Sequence, residues 1–287
     1  MLAVFKREFK SYFQSPLGFI LMGFFLLISG LYFAMLNLLA GSAHYIEVLA
    51  NITFVFLIVV PLLTMRLMTE DVRLKTDQLL LTSPLSITGL VLGKYGAAVA
   101  VFGVTILITC LYPLILNGYA ILAVGEIIGG YIGFFLLGSA FIAIGLFISA
   151  MTENQIAAAI ATFGALLLVW MLGWVQEVLP KDALAGAVFA GILFILACYL
   201  VYRTTKNLLV SIIPAVLGLG GIAAVYFIKK TAFDGFITYF CQWFSLISRF
   251  RSFTMGVFDL SAIIYYLSIS ALFIFLTVRV IEKRRWS

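Results

Sequence analysis

The stretch MRLMTEDVRLKTDQLLLTSP, residues 65–84, is the one polar island in the first half of an otherwise apolar chain. It carries six charged residues, which are Arg66, Glu70, Asp71, Arg73, Lys75 and Asp77. One Lys, Arg or Asp at the centre of a bilayer costs about 2.5–3.5 kcal/mol on insertion scales. We therefore expect this stretch to lie in water, between two membrane-spanning segments.

The composition outside the island is that of an integral membrane protein. Hydrophobic residues make up 64% of the 287 residues and charged residues 10%, whereas a soluble domain carries about 25% charged residues. The net charge of +6 does not indicate a nucleic-acid partner, because basic residues in a membrane protein mainly report its orientation. The three cysteines follow no metal-binding or disulfide spacing.

Apolar stretches of about 20 residues, the length that crosses a bilayer, recur along the chain. The predicted spans are 17–40, 48–65, 87–116, 125–150, 156–175, 184–202, 208–228 and 260–280. The predicted fold class is therefore an all-α membrane protein, a polytopic bundle of about eight transmembrane helices that forms a single domain over 1–287.

Basic residues set the predicted orientation of this bundle. Thirteen of the 18 Lys and Arg residues fall on the side that holds both termini and the polar island. By the positive-inside rule, that side is the cytoplasm. We expect a multi-pass protein of the plasma membrane with both termini cytoplasmic, and we expect Lys94, near an inner span end, to extend toward the interface.

Two further segments are predicted to lie at the membrane surfaces. Residues 2–15 form an interfacial helix, because apolar residues occupy one side and Lys6, Arg7 and Lys10 the other. Pro16 ends that helix. Residues 229–258 are too apolar for a loop and too interrupted for a span, so two short helices dipping into the outer leaflet are predicted.

Small residues at four-residue spacing mark two of the spans. They are Gly125, Gly129 and Gly133, and Ala157, Ala161 and Ala165. Such stripes let helices approach closely. Packing within the chain is the first interpretation, and an interface with a second subunit is the alternative.

The chain lacks the residues that its own catalysis would need. The segment GLVLGK, residues 89–94, has the wrong glycine spacing for a P-loop and no Ser or Thr after Lys94. His44 is the one histidine, which argues against His-based metal sites and hydrolysis. A membrane-embedded lipid enzyme would need paired acids, an activated nucleophile or metal ligands. We expect no catalytic, metal or cofactor residues here.

The polar island has a helical pattern of its own. Thr69 can cap a short helix whose first turn contains Glu70 and Asp71, where the helix dipole favours acids. Ser83 and Pro84 end it. A short amphipathic helix over 69–84 is therefore predicted on the cytoplasmic face. It is either a simple connector or a docking helix for a cytosolic partner.

The motifs of this island resemble those of ABC-2 type transporter permeases. The family's coupling region reads approximately E-E-R-x-x-G-T-x-E-x-L-L-x-x-P, followed by G-K at the next span. The matching residues here are Glu70, Asp71, Thr76, Leu79, Leu80, Pro84, Gly93 and Lys94. Lys75 stands where the family has Gly, and Gln78 where it has Glu. The segment SAMTENQIAAAIATF, residues 149–163, is similar to the family's S-x-x-T-x-N-Q-x-x-A.

Within that family, the chain looks most like permeases of gliding-motility-type and nitrous-oxide-cluster systems. The terminal FRSFTMGVFDL and EKRRW segments contribute to this resemblance. The pair of spans over 184–228 has no counterpart in the six-span family pattern, so its role stays open.

The resemblance implies a permease subunit that forms the substrate path of an ABC transporter, with export as the expected direction. A separate cytosolic ABC ATPase would bind ATP and Mg²⁺, so this chain would itself be no enzyme. A second permease copy or a related permease would complete the path, and an accessory extracytoplasmic protein is a further candidate partner. Alternatively, the chain is a non-transporting subunit that couples ATP hydrolysis to mechanical work on another protein.

The resemblance also implies which residues dock the ATPase. They lie in the coupling helix and in the second inner loop, 151–155, and are Glu70, Asp71, Arg73, Thr76, Asp77, Gln78, Glu153, Asn154 and Gln155.

Overall fold

A computed structural model describes residues 1–73, 86–205 and 208–286. The regular secondary structure in these ranges is helical throughout, and six helical segments there are long and apolar enough to cross a membrane. They are Pro16–Leu39, Ile46–Arg73, Ile87–Leu116, Val124–Met151, Gln155–Gly173 and Leu260–Lys283. The chain is therefore an all-α, multi-pass membrane protein, as its composition predicts.

The helices are labelled α1 to α14 in chain order. They are α1 Leu2–Gln14, α2 Pro16–Phe33, α3 Ile46–Asn51, α4 Phe56–Thr64, α5 Thr69–Arg73, α6 Ile87–Thr109, α7 Leu111–Leu116, α8 Val124–Met151, α9 Gln155–Val178, α10 Ala183–Thr205, α11 Leu208–Ile228, α12 Phe236–Phe244, α13 Leu246–Thr254 and α14 Leu260–Trp286. A π-helical stretch, Ala34–Leu39, extends α2, and a 3₁₀ turn, Ile52–Val55, joins α3 to α4.

The predicted sixth and seventh spans correspond to α10 and α11. Their most apolar described parts are Ala183–Tyr199 and Leu217–Ile228, which are shorter than the six segments above. Whether this pair crosses the membrane therefore stays a prediction.

The chain groups into two compact units, and a single domain over 1–287 stays a prediction. The first contains Met1–Leu168 and Leu246–Ser287, and the second contains Val169–Ser245. The second unit includes the α10–α11 pair that the family resemblance leaves without a counterpart. In that unit, the ring of Phe194 on α10 lies against Gly218 on α11, where a side chain would collide with it. The backbone of Phe233 approaches Gly186 in the same way.

Helix α8 is the centre of the first unit, because α4, α6, α13 and α14 all pack against it. Glycines make these approaches close: a Cβ at Gly133 would lie 2.6 Å from the Phe253 ring, and Gly138 faces the Phe102 ring. Phe102 also belongs to a buried aromatic cluster with Phe25, Phe56 and Phe134, whose ring centroids lie 4.6–6.5 Å apart.

The two predicted small-residue stripes differ in what they contact. Gly133 and Gly129 meet α13 and Phe258 within the chain, whereas no described residue lies within 4 Å of a Cβ at Gly125. On α9, Ala157 and Ala161 are exposed. The first stripe therefore packs mainly within the chain, while a subunit interface stays a prediction for the second.

The segment over 229–258 contains a 3₁₀ turn, Lys230–Phe233, and two helices of nine residues each, α12 and α13. Two short helices are thus present where the sequence predicts them. How deep they lie in a membrane stays a prediction.

Candidate functional site

The N-terminal helix α1 rests on the beginning of α6, the third candidate span. A Cβ at Gly93 would lie 3.0 Å from the main-chain oxygen of Met1 and 3.0 Å from Cβ of Val4. One turn further along α6, a Cβ at Gly96 would lie 3.4 Å from the Phe5 ring. The glycines make room for α1, so the helix predicted to lie at the interface packs directly against a span.

A cluster of four charged side chains fixes this contact. Lys94 is 1% exposed, and its Nζ lies 2.6 Å from Oδ2 of Asp71 and 3.2 Å from Oε1 of Glu8. Nζ also donates to the main-chain oxygen of Leu67. Arg7 reaches the same carboxylates, at 2.7 Å from Glu8 Oε1 and 3.7 Å from Asp71 Oδ1. We call Arg7, Glu8, Asp71 and Lys94 the ion cluster.

The charges of the ion cluster balance, with two cations facing two carboxylates. The side chains of Glu8 and Asp71 are only 17% and 15% exposed, so each cation faces acids that are largely withdrawn from water. Removing one partner from such a pair leaves a buried uncompensated charge. Beside Arg7, Glu8 raises the pKa of its guanidinium, and Asp71 adds to that effect although burial opposes it.

The prediction that Lys94 extends to the interface is wrong. Lys94 lies in the second turn of α6, and α1 folds over it, so that acids of α1 and α5 hold its ammonium group inside the protein. These residues are distant in the sequence, and they come into contact because α1 packs on α6.

Tyr12 provides a second connection from α1 to the end of the second span. Its hydroxyl donates to the main-chain oxygen of Leu63 at 2.7 Å, and burial raises the pKa of Tyr12 above its usual value. The phenol therefore remains a protonated donor at neutral pH.

The prediction that Thr69 caps a helix is also wrong. Thr69 is fully buried, and its hydroxyl donates to the main-chain oxygen of Met65 one turn earlier. Residues Thr69–Arg73 are helical and belong to the segment that runs from Ile46. The rest of the predicted coupling helix, with Thr76, Asp77 and Gln78, lies outside the described residues.

The other predicted docking residues of this region occupy different environments. Glu70 is half-buried and lines a cleft against α1. Asp71 belongs to the ion cluster. Arg73 is exposed, so its side chain is open to a partner.

In the second inner loop, the side chain of Glu153 is exposed to solvent, whereas that of Asn154 stabilises the beginning of a helix. The Asn154 Oδ1 accepts from the main-chain N–H of Ile156 at 2.8 Å and of Ala157 at 3.4 Å, and so caps α9, which begins at Gln155.

The structure connects the described beginning of the polar island to the end of α8, which leads into the second inner loop. The hydroxyl of Ser149, at the end of α8, donates to the main-chain oxygen of Met65 and accepts from the N–H of Met68 at 3.2 Å. Gly145 accommodates Thr64 one turn earlier. The end of the second span and the lead-in to the 151–155 loop are therefore directly connected.

Sequence reasoning missed Glu8, Arg7 and the glycines of α6 as site residues. The sequence does contain a signal for Glu8, which is the one acid in the basic helix α1. Glu8 lies four residues from both Val4 and Tyr12, so the three share one side of the helix, and this side faces the protein. Gly89, Gly93 and Gly96 repeat at helical spacing.

Among the described residues, no group of three His, Cys, Asp or Glu side chains is placed to hold a metal ion. No protein-family model matches the chain, and no curated protein is significantly similar to it in sequence.

Proposed function

We propose that this chain is the transmembrane permease subunit of an ABC-type transporter in the plasma membrane, with both termini in the cytoplasm. A separate cytosolic ATPase would supply the energy, and a second permease would complete the substrate path. The observation that carries the proposal is the junction at one end of the first unit, where the ion cluster and Ser149 connect four segments at the beginning of the polar island.

This junction is suited to passing a movement from the polar island to several spans at once. Asp71 belongs to the polar island. Its carboxylate pairs with Lys94 of the third span and with Arg7 of α1. Ser149 holds the main chain at Met65 and Met68. A displacement of the island would act on α1 and on the second, third and fourth spans together. A switch of this kind needs different contacts in its two states.

The environments of the predicted docking residues separate them into two roles. Arg73 and Glu153 are exposed, so we expect them to contact the ATPase, along with Thr76, Asp77 and Gln78. Asp71 and Asn154 have the second role, which is to position the helices. Asp71 does so by its ion pair with Lys94, and Asn154 does so by capping α9. Gln155 begins that helix.

The experiment is affinity purification of the chain from membranes of its source, with a tag after Ser287 and identification of co-purifying P-loop ATPases. Arg73→Glu with Glu153→Lys should lower the recovery of the ATPase, because both charges that face it are reversed. Glu47→Lys is the matched control, since Glu47 is exposed at the beginning of α3, away from this junction.

Absence of an ATPase, or equal recovery with the double variant, contradicts the proposal. If the ATPase is present, its stimulation by a transported molecule supports transport, whereas stimulation only by a partner protein supports mechanical work.

A further inference from the structure

A second polar feature lies beside the ion cluster and is separate from it. A cleft between α1 and the end of the second span is lined by Glu8, Ser11, Tyr12, Ser15, Arg66 and Glu70, among others. The cleft is open to solvent and has about 320 Å³ of empty space, including the solvent at its mouth.

The cleft lies at the ends of two candidate spans, the level at which we expect lipid headgroups. Its walls come from α1, from Ser15 just before the first span, and from the last turns of the second span. Span ends mark the boundary between hydrocarbon and water. A ligand in this cleft would therefore meet both the protein and the membrane surface.

Two opposite charges line the cleft without pairing to each other. Arg66 and Glu70 are one helical turn apart, yet their side chains form no ion pair or hydrogen bond with any residue in the described ranges. The Arg66 Nε–H is buried and has no hydrogen-bond partner among the residues that the structure describes. A buried donor left unsatisfied is costly, so such a group calls for an acceptor.

The remaining polar groups divide between the two charges. Ser11 and Ser15 carry hydroxyl donors beside the cleft, although the Ser15 Oγ already accepts from the N–H of Leu17 at 3.3 Å. Glu8 is occupied by Arg7 and Lys94, which leaves Glu70 as the acid available to a ligand. Glu70 would repel a simple anion, and Arg66 would repel a simple cation. A group that carries both charges satisfies both residues.

We propose that this cleft binds the headgroup of a zwitterionic phospholipid with a primary ammonium group, a phosphoethanolamine headgroup. The phosphate would accept from Arg66, Ser11 and Ser15, and the ammonium group would donate to Glu70. The bound lipid would hold α1 against the second span. This inference does not depend on the proposed transport function.

The test is native mass spectrometry of the full chain, purified and then exposed to equimolar phosphatidylethanolamine, phosphatidylcholine and phosphatidylglycerol. We expect one phosphatidylethanolamine to be retained in preference to the other two. The choline headgroup has no N–H to donate, and the glycerol headgroup has no positive charge. Arg66→Gln and Glu70→Gln should each lower that retention roughly tenfold, the effect of one lost charge-assisted contact.

Arg73→Gln is the matched control, because it removes the same charge from an exposed residue that does not line the cleft, and retention should not change. If Arg66→Gln does not fold, Glu70→Gln decides the outcome. Equal retention of phosphatidylglycerol, retention unaffected by Glu70→Gln, or no retained lipid, as for a site that holds only water, overturns the proposal. A second arm adds inorganic phosphate alone; displacement of the lipid by phosphate would identify a free-anion site and also overturn it.

Discussion

The ammonium nitrogen of Lys94 lies 2.6 Å from Oδ2 of Asp71, and the two residues belong to different candidate membrane spans. Glu8 approaches the same nitrogen from a third helix. Three segments that are far apart in sequence therefore meet at one charge. Because that charge is withdrawn from water, separating either acid from it removes part of its compensation.

Loss of the Lys94 charge should destabilise the protein strongly. Lys94→Met removes the buried cation that Asp71 and Glu8 share, and breaking a buried pair typically costs about 3–5 kcal/mol. Thermal unfolding in detergent measures the effect.

A double variant, Lys94→Met with Asp71→Leu, should be less destabilised than the sum of the single variants, because both charges are gone. Arg279→Gln is the control, since its pair with Glu282 is exposed and should contribute under about 1 kcal/mol. Strict additivity of the two single changes would contradict the coupling.

Gly133→Ala should destabilise the first unit, although alanine is the better helix former by about 1 kcal/mol. The added methyl group would lie 2.6 Å from the ring of Phe253, which is fully buried and cannot easily move away. Gly125→Ala lies on the same helix, where no residue of the described ranges comes within 4 Å of the added carbon, and it should leave stability unchanged or raise it. Equal melting temperatures for the two variants would show that α13 does not pack as described.

A tyrosine pair near the beginning of α8 should make a smaller contribution to the free energy of unfolding than the buried Lys94 pair. The hydroxyls of Tyr45 and Tyr131 lie 2.8 Å apart, and Tyr131 donates to the main-chain oxygen of Thr109 at 2.9 Å. Tyr131→Phe removes both bonds and should cost about 1–3 kcal/mol in unfolding free energy. Tyr119→Phe, at an exposed position, should cost nothing measurable, and an equal loss at both positions would contradict the assignment.

Topology reporters distinguish eight spans from six. A reporter fused after Arg203 should read as cytoplasmic if α10 crosses the membrane, and a reporter fused after Lys181 should read as extracytoplasmic. The same side for both would show that the α10–α11 pair does not cross. A reporter after Ser287 should read as cytoplasmic under either count, and an extracytoplasmic result would overturn the orientation.

Six of the eight predicted spans have a matching apolar helix among the described residues, because apolar length is a local property. The predicted segment 87–116 matches α6 and α7, and 125–150 matches α8 within one residue at each end. The second span was predicted to end at residue 65, but its helical course continues to Arg73. The charged residues after position 65 predict a segment in water, and so an end of the span. In the fold, α1 covers Asp71, and the helix can continue past these charges.

The candidate site was only partly predictable, because its partners are distant in sequence. The charged residues of the island were identified from the sequence, but their pairing was not, since Glu8 is more than 60 residues from Asp71. The interfacial helix was predicted from its amphipathic pattern, which says nothing about what its protein-facing side contacts. Glycine spacing on α6 identifies that surface only once α1 is known to lie there.

The covering of Lys94 by α1 has a consequence for biogenesis. When the ribosome delivers the third span to the membrane, the acids that pair with its lysine, on α1 and at the end of the second span, have already been synthesised. We therefore expect α1 to fold back onto the third span after that span arrives. Deletion of the first eight residues would leave that span without one of its counter-ions, so insertion defects are expected from such truncations even though no span is removed.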